Sequence, residues 1–362
     1  MGHKIFFVSF RETEERLYGD AINYREINAY FDRSRPKDKL IKSLWFTLLS
    51  PFLIRRLHQK EKIDLVYCDD SLPFYAFLIK KIVKIKTIMR LGDLQSAYIF
   101  AGNNLLKQMI FKMIFHIERM MWKSVDKVIV ISQAFKYFLT TNGIPQSKID
   151  NVQECIDLEM FKPKVLNGAI RNIYGIGADV PLIMFHGLVA KMKGLDTLLN
   201  SIPMVLNEKP DAKFMIIGDG GDLKRLKNLV KKLGIEGSVI FTGWVPFNNI
   251  PDYLSECDIG IPSRSGNFGN NLVVTTALLQ YWAMEKPVIA PRLTAINNFF
   301  TKEQAGMTFE PDNANDLAKR IIEMLGADKE VKNRFGITGR YIAKRNFDIE
   351  VVSQKMVQIL TQ

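Results

Sequence analysis

Two lysines and two asparagines are the residues of this chain whose types and spacing point to chemistry. Lys191 and Lys193 stand in "HGLVAKMKG", residues 186–194, where a strand pattern ends at His186-Gly187 and a helix pattern starts at Gly194. A lysine held there can neutralise a phosphate leaving group as its bond breaks. Asn270 and Asn271 stand in "NFGNNLVVTTALLQYWAMEKPVI", residues 267–289, which reads as a loop, a helix over 272–284 and a buried strand. An asparagine cap and the amides of a first helical turn make such a loop an anion site. Together the two stretches imply a cleft that holds a diphosphate.

The elements that must position these residues follow from hydrophobic rhythm. Strand patterns at 182–185, 213–217, 238–241 and 258–261 alternate with helix patterns at 194–206, 222–233 and 250–255. Gly187, Gly218, Gly243 and Ser263 fall at the carboxyl ends of those strands, where open α/β sheets bind ligands. "GDGG", residues 218–221, is a glycine-rich turn, but it lacks the GxGxxG spacing and lies mid-chain, which argues against NAD. The first half has the same rhythm. Its strands are 5–10, 64–68, 86–91 and 127–131, its helices 72–82 and 105–123, and a further helix begins at Ser132. Such alternation predicts an α/β fold of parallel sheets covered by helices. A composition break at 163–177 divides the chain into two Rossmann-like domains with a cleft between them: 1–165, 166–345, and a terminal helix over 346–362.

The charge is uneven. Of a net +12 over 362 residues, residues 1–165 carry 27 Lys+Arg against 18 Asp+Glu, a net of +9. A basic first half implies an anionic surface or substrate. No zinc-finger spacing or RNA-binding signature supports nucleic acid, so an anionic membrane or a lipid phosphate is the preferred partner. Residues 40–57, "LIKSLWFTLLSPFLIRRL", have an apolar and aromatic body with basic flanks, split or kinked by Pro51. They read either as a core helix or as a segment lying on a membrane with Trp45 and Phe46 in the interface. The Met and Phe residues of 105–123 read either as core, the preferred reading, or as a grip on a lipid. Cys68, Cys155 and Cys257 form neither a zinc spacing nor a disulfide framework, and the four histidines form no metal pattern. "MGHKIFFVSF" reads as a first strand rather than a leader, and no apolar run is long enough to span a bilayer.

The order "FHGLVAKMKGLDTLL", "FMIIGDGGDLKRLKNL", "VIFTGWVP", "CDIGIPS", "YWAMEKPVIA" and "FEPDNANDLAKRI" resembles the retaining glycosyltransferases of GT-B fold in the glycosyl transferases group 1 family, of the family 4 type. The resemblance covers residues 180–345; the first half shares only its rhythm and "VDKVIVIS". It implies a nucleotide-sugar donor domain over 166–345, an acceptor domain over 1–165 and a last helix that returns to the first domain. It implies that Lys193 contacts the donor diphosphate, with Gly187 beside the donor and Gly218 and Gly220 near the nucleotide. Thr242, Gly243 and Val245 would border the base, and Ser263 would lie at the donor. Asn270, Asn271 and Leu272 would offer backbone amides to the diphosphate. Gln280 stands where the family usually has a ribose-binding glutamate. Lys191, Arg90 and Asp93 join Lys193 as candidates for chemistry or acceptor contact. The chain departs from the family at Leu188, where Arg is usual, at Leu272 and Gln280, where a pair of Glu is usual, at Gly92, where His is usual, and at 11–16, where a glycine loop is usual.

These readings converge on a glycosyltransferase that moves a sugar, with retention, from a nucleotide-diphosphate sugar to a lipid-linked or cell-surface glycan acceptor. It would need no metal and no bound cofactor, and would sit in the cytoplasm at the inner membrane face. The alternative is a GT-B-like binding or scaffold subunit that has lost turnover, motivated by Leu188, Leu272 and Gln280. An epimerase of similar fold is a third reading without a supporting acid–base pair.

Overall fold

The computed structural model describes residues 6–10, 23–27, 36–69, 73–94, 96–97, 105–164 and 168–361, with backbone alone for 6–10, 23–27, 36–47 and at 69, 73, 106 and 107. The expectation for 11–16 and the side chains of Trp45 and Phe46 lie outside the described residues. Contacts group the chain into two compact units. One comprises Met1–Leu91, Lys112–Ile129 and Ile144–Ile149; the other comprises Gly92–Phe111, Val130–Gly143 and Asp150–Gln362.

In chain order the first half has β1 (Phe6–Phe10), β2 (Asn23–Ile27), α1 (Pro36–Glu61), β3 (Leu65–Asp69), α2 (Pro73–Val83), β4 (Lys86–Leu91), α3 (Leu105–Ser124), β5 (Lys127–Val130), α4 (Gln133–Thr141) and β6 (Ile149–Asn151). β1 and β2 pair in parallel, and a second sheet has the order β3-β4-β5-β6. Asp126, just before β5, ties this sheet to α2: its carboxylate accepts from Lys80 Nζ at 2.6 Å and from the Thr87 amide at 2.7 Å. Pro51 does not split α1, which runs unbroken from Pro36 to Glu61. One missing amide bond is a small loss in a helix of 26 residues. Pro36 opens the helix rather than breaking it, because its fixed φ suits a first helical position and its missing N–H had no partner there. Ile54 and Leu57 of α1 are core, whereas Leu48, Leu49 and Phe52 are exposed.

The second unit carries α5 (Ala169–Ile173), β7 (Leu182–His186), α6 (Leu195–Glu208), β8 (Lys213–Ile217), α7 (Leu223–Leu233), β9 (Val239–Gly243), α8 (Ile250–Ser255) and β10 (Ile259–Gly260). There follow α9 (Thr276–Ala283), β11 (Ile289–Pro291), α10 (Asn297–Thr301), β12 (Met307–Phe309), α11 (Ala314–Gly326), α12 (Lys329–Phe347) and α13 (Ile349–Thr361). Its sheet is parallel with order β10-β7-β8-β9. The pair β11-β12 continues it through a parallel bridge from Gly260 to Val288. Successive side chains of a strand point to opposite faces, and both faces here are apolar. Leu182, Met184, Met215 and Ile217 enter one core, and Ile183, Phe185, Phe214 and Ile216 enter the other. A sheet buried on both faces needs helices on both sides.

Three glycines set how closely those helices approach. A Cβ on Gly260 would lie 2.5 Å from the Tyr281 ring, so α9 rests directly on β10, and Tyr281 donates its hydroxyl to Met184 O at 2.7 Å. On the outer side, a Cβ on Gly339 would lie 2.3 Å from Trp282, and one on Gly336 would lie 2.1 Å from Glu285 O. α9 is therefore clamped between β10 and α12, which fixes the loop that leads into it.

Candidate functional site

The strand ends of the second sheet are knotted together by backbone hydrogen bonds that leave no room for side chains. The Gly187 amide donates to Ile217 O at 2.9 Å, the Val189 amide to Asp219 O at 2.9 Å, and the Gly218 amide to Gly243 O at 2.9 Å. A Cβ on Gly218 would lie 2.0 Å from Gly187 O, and one on Gly220 would lie 2.2 Å from Val189 O. All three of Gly187, Gly218 and Gly220 have positive φ. Gly218 and Gly220 need glycine twice over, for conformation and for close approach, and Gly187 needs it for conformation.

The loop after β7 is fastened to the loop after β10. The Ser265 amide donates to Met192 O at 3.2 Å, Asn270 Nδ2 donates to the same oxygen at 3.1 Å, and Ser263 Oγ donates to Gly194 O at 3.2 Å. This places Lys193 beside two charged groups. Burial pushes its ammonium down to about 8, the neighbouring Arg264 pushes it the same way, and Asp93 pulls it up. Arg264 is itself oriented by Asn270, whose Oδ1 accepts from its Nη1 at 2.8 Å. Two half-buried cations that repel one another form a site whose electrostatic cost an anion would relieve. Asp93, following β4 in the chain, thus belongs with Lys193. Arg90 lies half-buried in β4. Lys191 is exposed and acts on Asp196, whose carboxylate pairs with Arg225 at 2.5 and 2.7 Å. It belongs to that surface ion network.

The loop that precedes α9 differs from its sequence reading. The helix starts at Thr276, capped by Thr275, whose side chain accepts from the Leu278 amide. Gly269–Leu272 forms a separate 3-10 turn, and Val273 leads out of it in extended conformation, the backbone a β-branched residue prefers. Neither Asn270 nor Asn271 caps the helix. Their amides are spent within the loop, Asn270 N on Asn267 Oδ1 at 2.9 Å and Asn271 N on Phe268 O at 3.1 Å. Asn271 Oδ1 instead accepts from the amide and hydroxyl of Thr294 at 3.2 Å each. Leu272 is buried, and its carbonyl accepts from Ser132 Oγ at 2.5 Å. The same oxygen caps α4 by accepting from the Phe135 amide at 2.9 Å.

Gln280 is buried and directed at His186, with Oε1 2.5 Å from Nε2. A carbonyl oxygen only accepts, so the histidine proton sits on Nε2. His186 Nδ1 is buried without a partner, the Tyr281 ring stands edge-on 4.8 Å away, and burial lowers the imidazole to about 4. Thr242, Gly243 and Val245 line the end of β9, half-buried, beside an exposed Trp244. Sequence reasoning missed Arg264 and His186. Arg264 follows a strand-end Ser263 directly, which marks it as a loop cation; His186 precedes the glycine at another strand end.

Residues 167–341 match the family described as Glycosyl transferases group 1, and residues 1–160 match Glycosyltransferase Family 4. Each match covers just under half of the chain, and both families are glycosyltransferases. Sucrose-phosphate synthase from Thermosynechococcus elongatus is similar in fold, with a TM-score of 0.78 at 17% identity over 100% of this chain and 89% of that one. The chain thus has the GT-B fold, built of two Rossmann-like domains. An uncharacterized glycosyltransferase of Methanocaldococcus jannaschii is 27% identical over 58% of this chain and 57% of its own length. A GDP-mannose-dependent alpha-(1-6)-phosphatidylinositol monomannoside mannosyltransferase of Mycolicibacterium smegmatis is 22% identical over 67% and 64%. The match therefore spans less than two thirds of the length of either relative. Among the described residues no group of His, Cys, Asp and Glu is arranged to hold a metal, and no helix is long and apolar enough to cross a membrane.

Proposed function

We propose that this chain transfers a sugar, with retention, from a nucleotide-diphosphate sugar to a lipid-linked or cell-surface glycan acceptor. The observation that carries the reading is the convergence of Lys193 and Arg264, held by Asn270 at the glycine-knotted strand ends. In the transfer, the bond between the anomeric carbon and the diphosphate oxygen breaks. The acceptor oxygen bonds to that carbon, and its proton passes to the departing diphosphate. No protein base is needed for such a step, and the two cations take up the charge that grows on the leaving group. Gly187, Gly218 and Gly220 let backbone approach the donor, Thr242, Gly243 and Val245 border the base, and Ser263 supports the loop that carries Arg264. Asp93 is placed to orient Lys193, and Arg90 is assigned to the acceptor. The mannosyltransferase relative, whose name specifies GDP-mannose and a phosphatidylinositol acceptor, supports a lipid-linked acceptor, as does the net +9 of residues 1–165. That partner would bring the protein to the inner face of an anionic membrane as a peripheral protein, with the nucleotide sugar as substrate and no bound cofactor.

A second reading, a nucleotide-binding subunit without turnover, is favoured by one set of contacts. Gln280 is engaged by His186, and the amides of Asn270 and Asn271 are engaged within their loop. A thermal-shift screen with UDP, GDP and ADP and their sugar conjugates tests both readings, because a ligand of the folded state raises Tm by mass action. Transfer is expected when one nucleotide raises Tm, Lys193→Ala abolishes the rise, and the matching labelled sugar passes to a polyprenyl-phosphate or inositol-lipid acceptor. A shift without transfer or hydrolysis supports the second reading, and no shift with any nucleotide at millimolar concentration refutes both.

A further inference from the structure

α3 was expected to bury its methionines, and it does not. Leu105, Met109, Met113, Ile117 and Met120 are 73, 61, 59, 44 and 59% exposed. Their spacing of four, four, four and three residues puts them on one side of the helix, in a stripe about 22 Å long at 1.5 Å per residue. Lys112 and Lys123 are exposed along its edge. The helix has a single acid, Glu118, and that residue is buried, as is Trp122. The outer face therefore offers apolar atoms and positive charge and no carboxylate. Trp122 and Glu118 mark the inner side of the helix, and the exposed stripe lies away from them. α1 repeats the pattern with exposed Leu48, Leu49 and Phe52 followed by exposed Arg55 and Arg56.

We propose that the outer face of α3 docks on an anionic lipid bilayer, with the methionine stripe at the acyl boundary and Lys112 and Lys123 among the headgroup phosphates. This rests on the membrane-acceptor reading above and names the surface that would serve it. Charge complementarity selects the occupant. A second copy meeting this face about a twofold axis would set the same lysines against each other, whereas an anionic bilayer attracts them. Methionine side chains are long and unbranched, which suits a disordered acyl boundary better than a fixed protein groove. A helix with apolar and basic sides lies in the plane of the interface.

The test is flotation of the full chain with vesicles of phosphatidylcholine alone and with about one-third phosphatidylglycerol, each at low and high salt. The protein is expected to float with the anionic vesicles at low salt and to be released by salt, as surface charge attraction is screened. Met113→Glu/Met120→Glu should cut partitioning about tenfold or more, and Lys112→Glu/Lys123→Glu should do so on the order of tenfold at low salt. Both sets of positions are exposed, so circular dichroism and Tm should be unchanged, and the nucleotide thermal shift should persist. Equal binding of wild type and both variants, or no binding to anionic vesicles, overturns the proposal. So does a dimer by light scattering that the Met variant dissociates, because that assigns the face to a second copy. A nucleotide shift without vesicle binding sinks this proposal alone, and vesicle binding without a nucleotide shift sinks the donor-site reading alone.

Discussion

α9 and α3 are both apolar helices in sequence, and the protein uses them in opposite ways. Every side chain of α9 from Leu278 to Ala283 is buried, between β10 on one side and α12 on the other. α3 buries Trp122 and Glu118 and turns three methionines outward. The difference teaches that burial belongs to what covers a helix and not to its composition. α9 is sealed because Gly260, Gly336 and Gly339 let two neighbours approach to ring and backbone contact; α3 has cover on one side only.

The comparison breaks most directly at Trp282. Replacing it with Ala should cost about 3–5 kcal/mol, since a large side chain clamped from both sides leaves a cavity. Met113→Ser on α3 should stay within about 0.5 kcal/mol. Urea unfolding of the two variants measures both, and equal losses would mean that α3 is covered after all.

The sealing of α9 also has a signature in acid. Burial holds His186 at about 4, against an ordinary value of 6.5, with Lys193 lowering it further and the Gln280 hydrogen bond opposing both. The unfolded chain therefore binds the proton first, and stability is lost as pH falls from 6.5 towards 4. The loss should be on the order of 3 kcal/mol. His186→Asn should flatten that segment of the stability profile in urea titrations at pH 7, 5.5 and 4.5; an unchanged slope would place the acid sensitivity elsewhere.

At the strand ends that α9 supports, Lys193→Ala should weaken binding of the active nucleotide about tenfold or more, the cost of a lost charge-assisted contact. Lys193 is depressed to about 8, so its charge is present below that pH and lost above it. Nucleotide affinity should accordingly fall as pH rises through about 8, and Lys193→Arg should bind with little change from pH 7 to 9. Calorimetric titration at three pH values decides this, and a flat profile for the wild-type protein would remove Lys193 from the site. The smallest effect is expected from Gln280→Glu. A carboxylate against His186 Nε2 should raise the imidazole by about one unit or more, visible in an NMR titration of the ring protons. No movement would show that the two side chains do not meet in solution.

The order of strands and helices was legible in sequence because strand and helix periodicities differ and because glycines mark the strand ends. The glycines at 187, 218 and 220 stand where the sequence placed them, at the carboxyl ends of β7 and β8. The start of α9 was misread because Asn270 and Asn271 have the chemistry of caps, and Thr275 has it too. Which residue caps depends on where Val273 and Val274 leave the helix path, and that is decided by packing. Arg264 was missed because a single loop arginine carries no pattern. It becomes a candidate only when Asn270 turns it towards Lys193.

The sequence by itself determined the parallel α/β layering, the resemblance to a family, the basic first half and the lysine in the loop after β7. Each is written in local period, residue type or charge, which survive without coordinates. Only the tertiary structure decided that Lys193 lies beside Arg264 while Lys191 turns to the surface, that Gln280 faces His186, and that the methionines of α3 face outward. Those are contacts across as many as 94 residues of chain, or the lack of cover over one side of a helix. Both depend on which surfaces meet when the chain closes, and no short-range pattern encodes that.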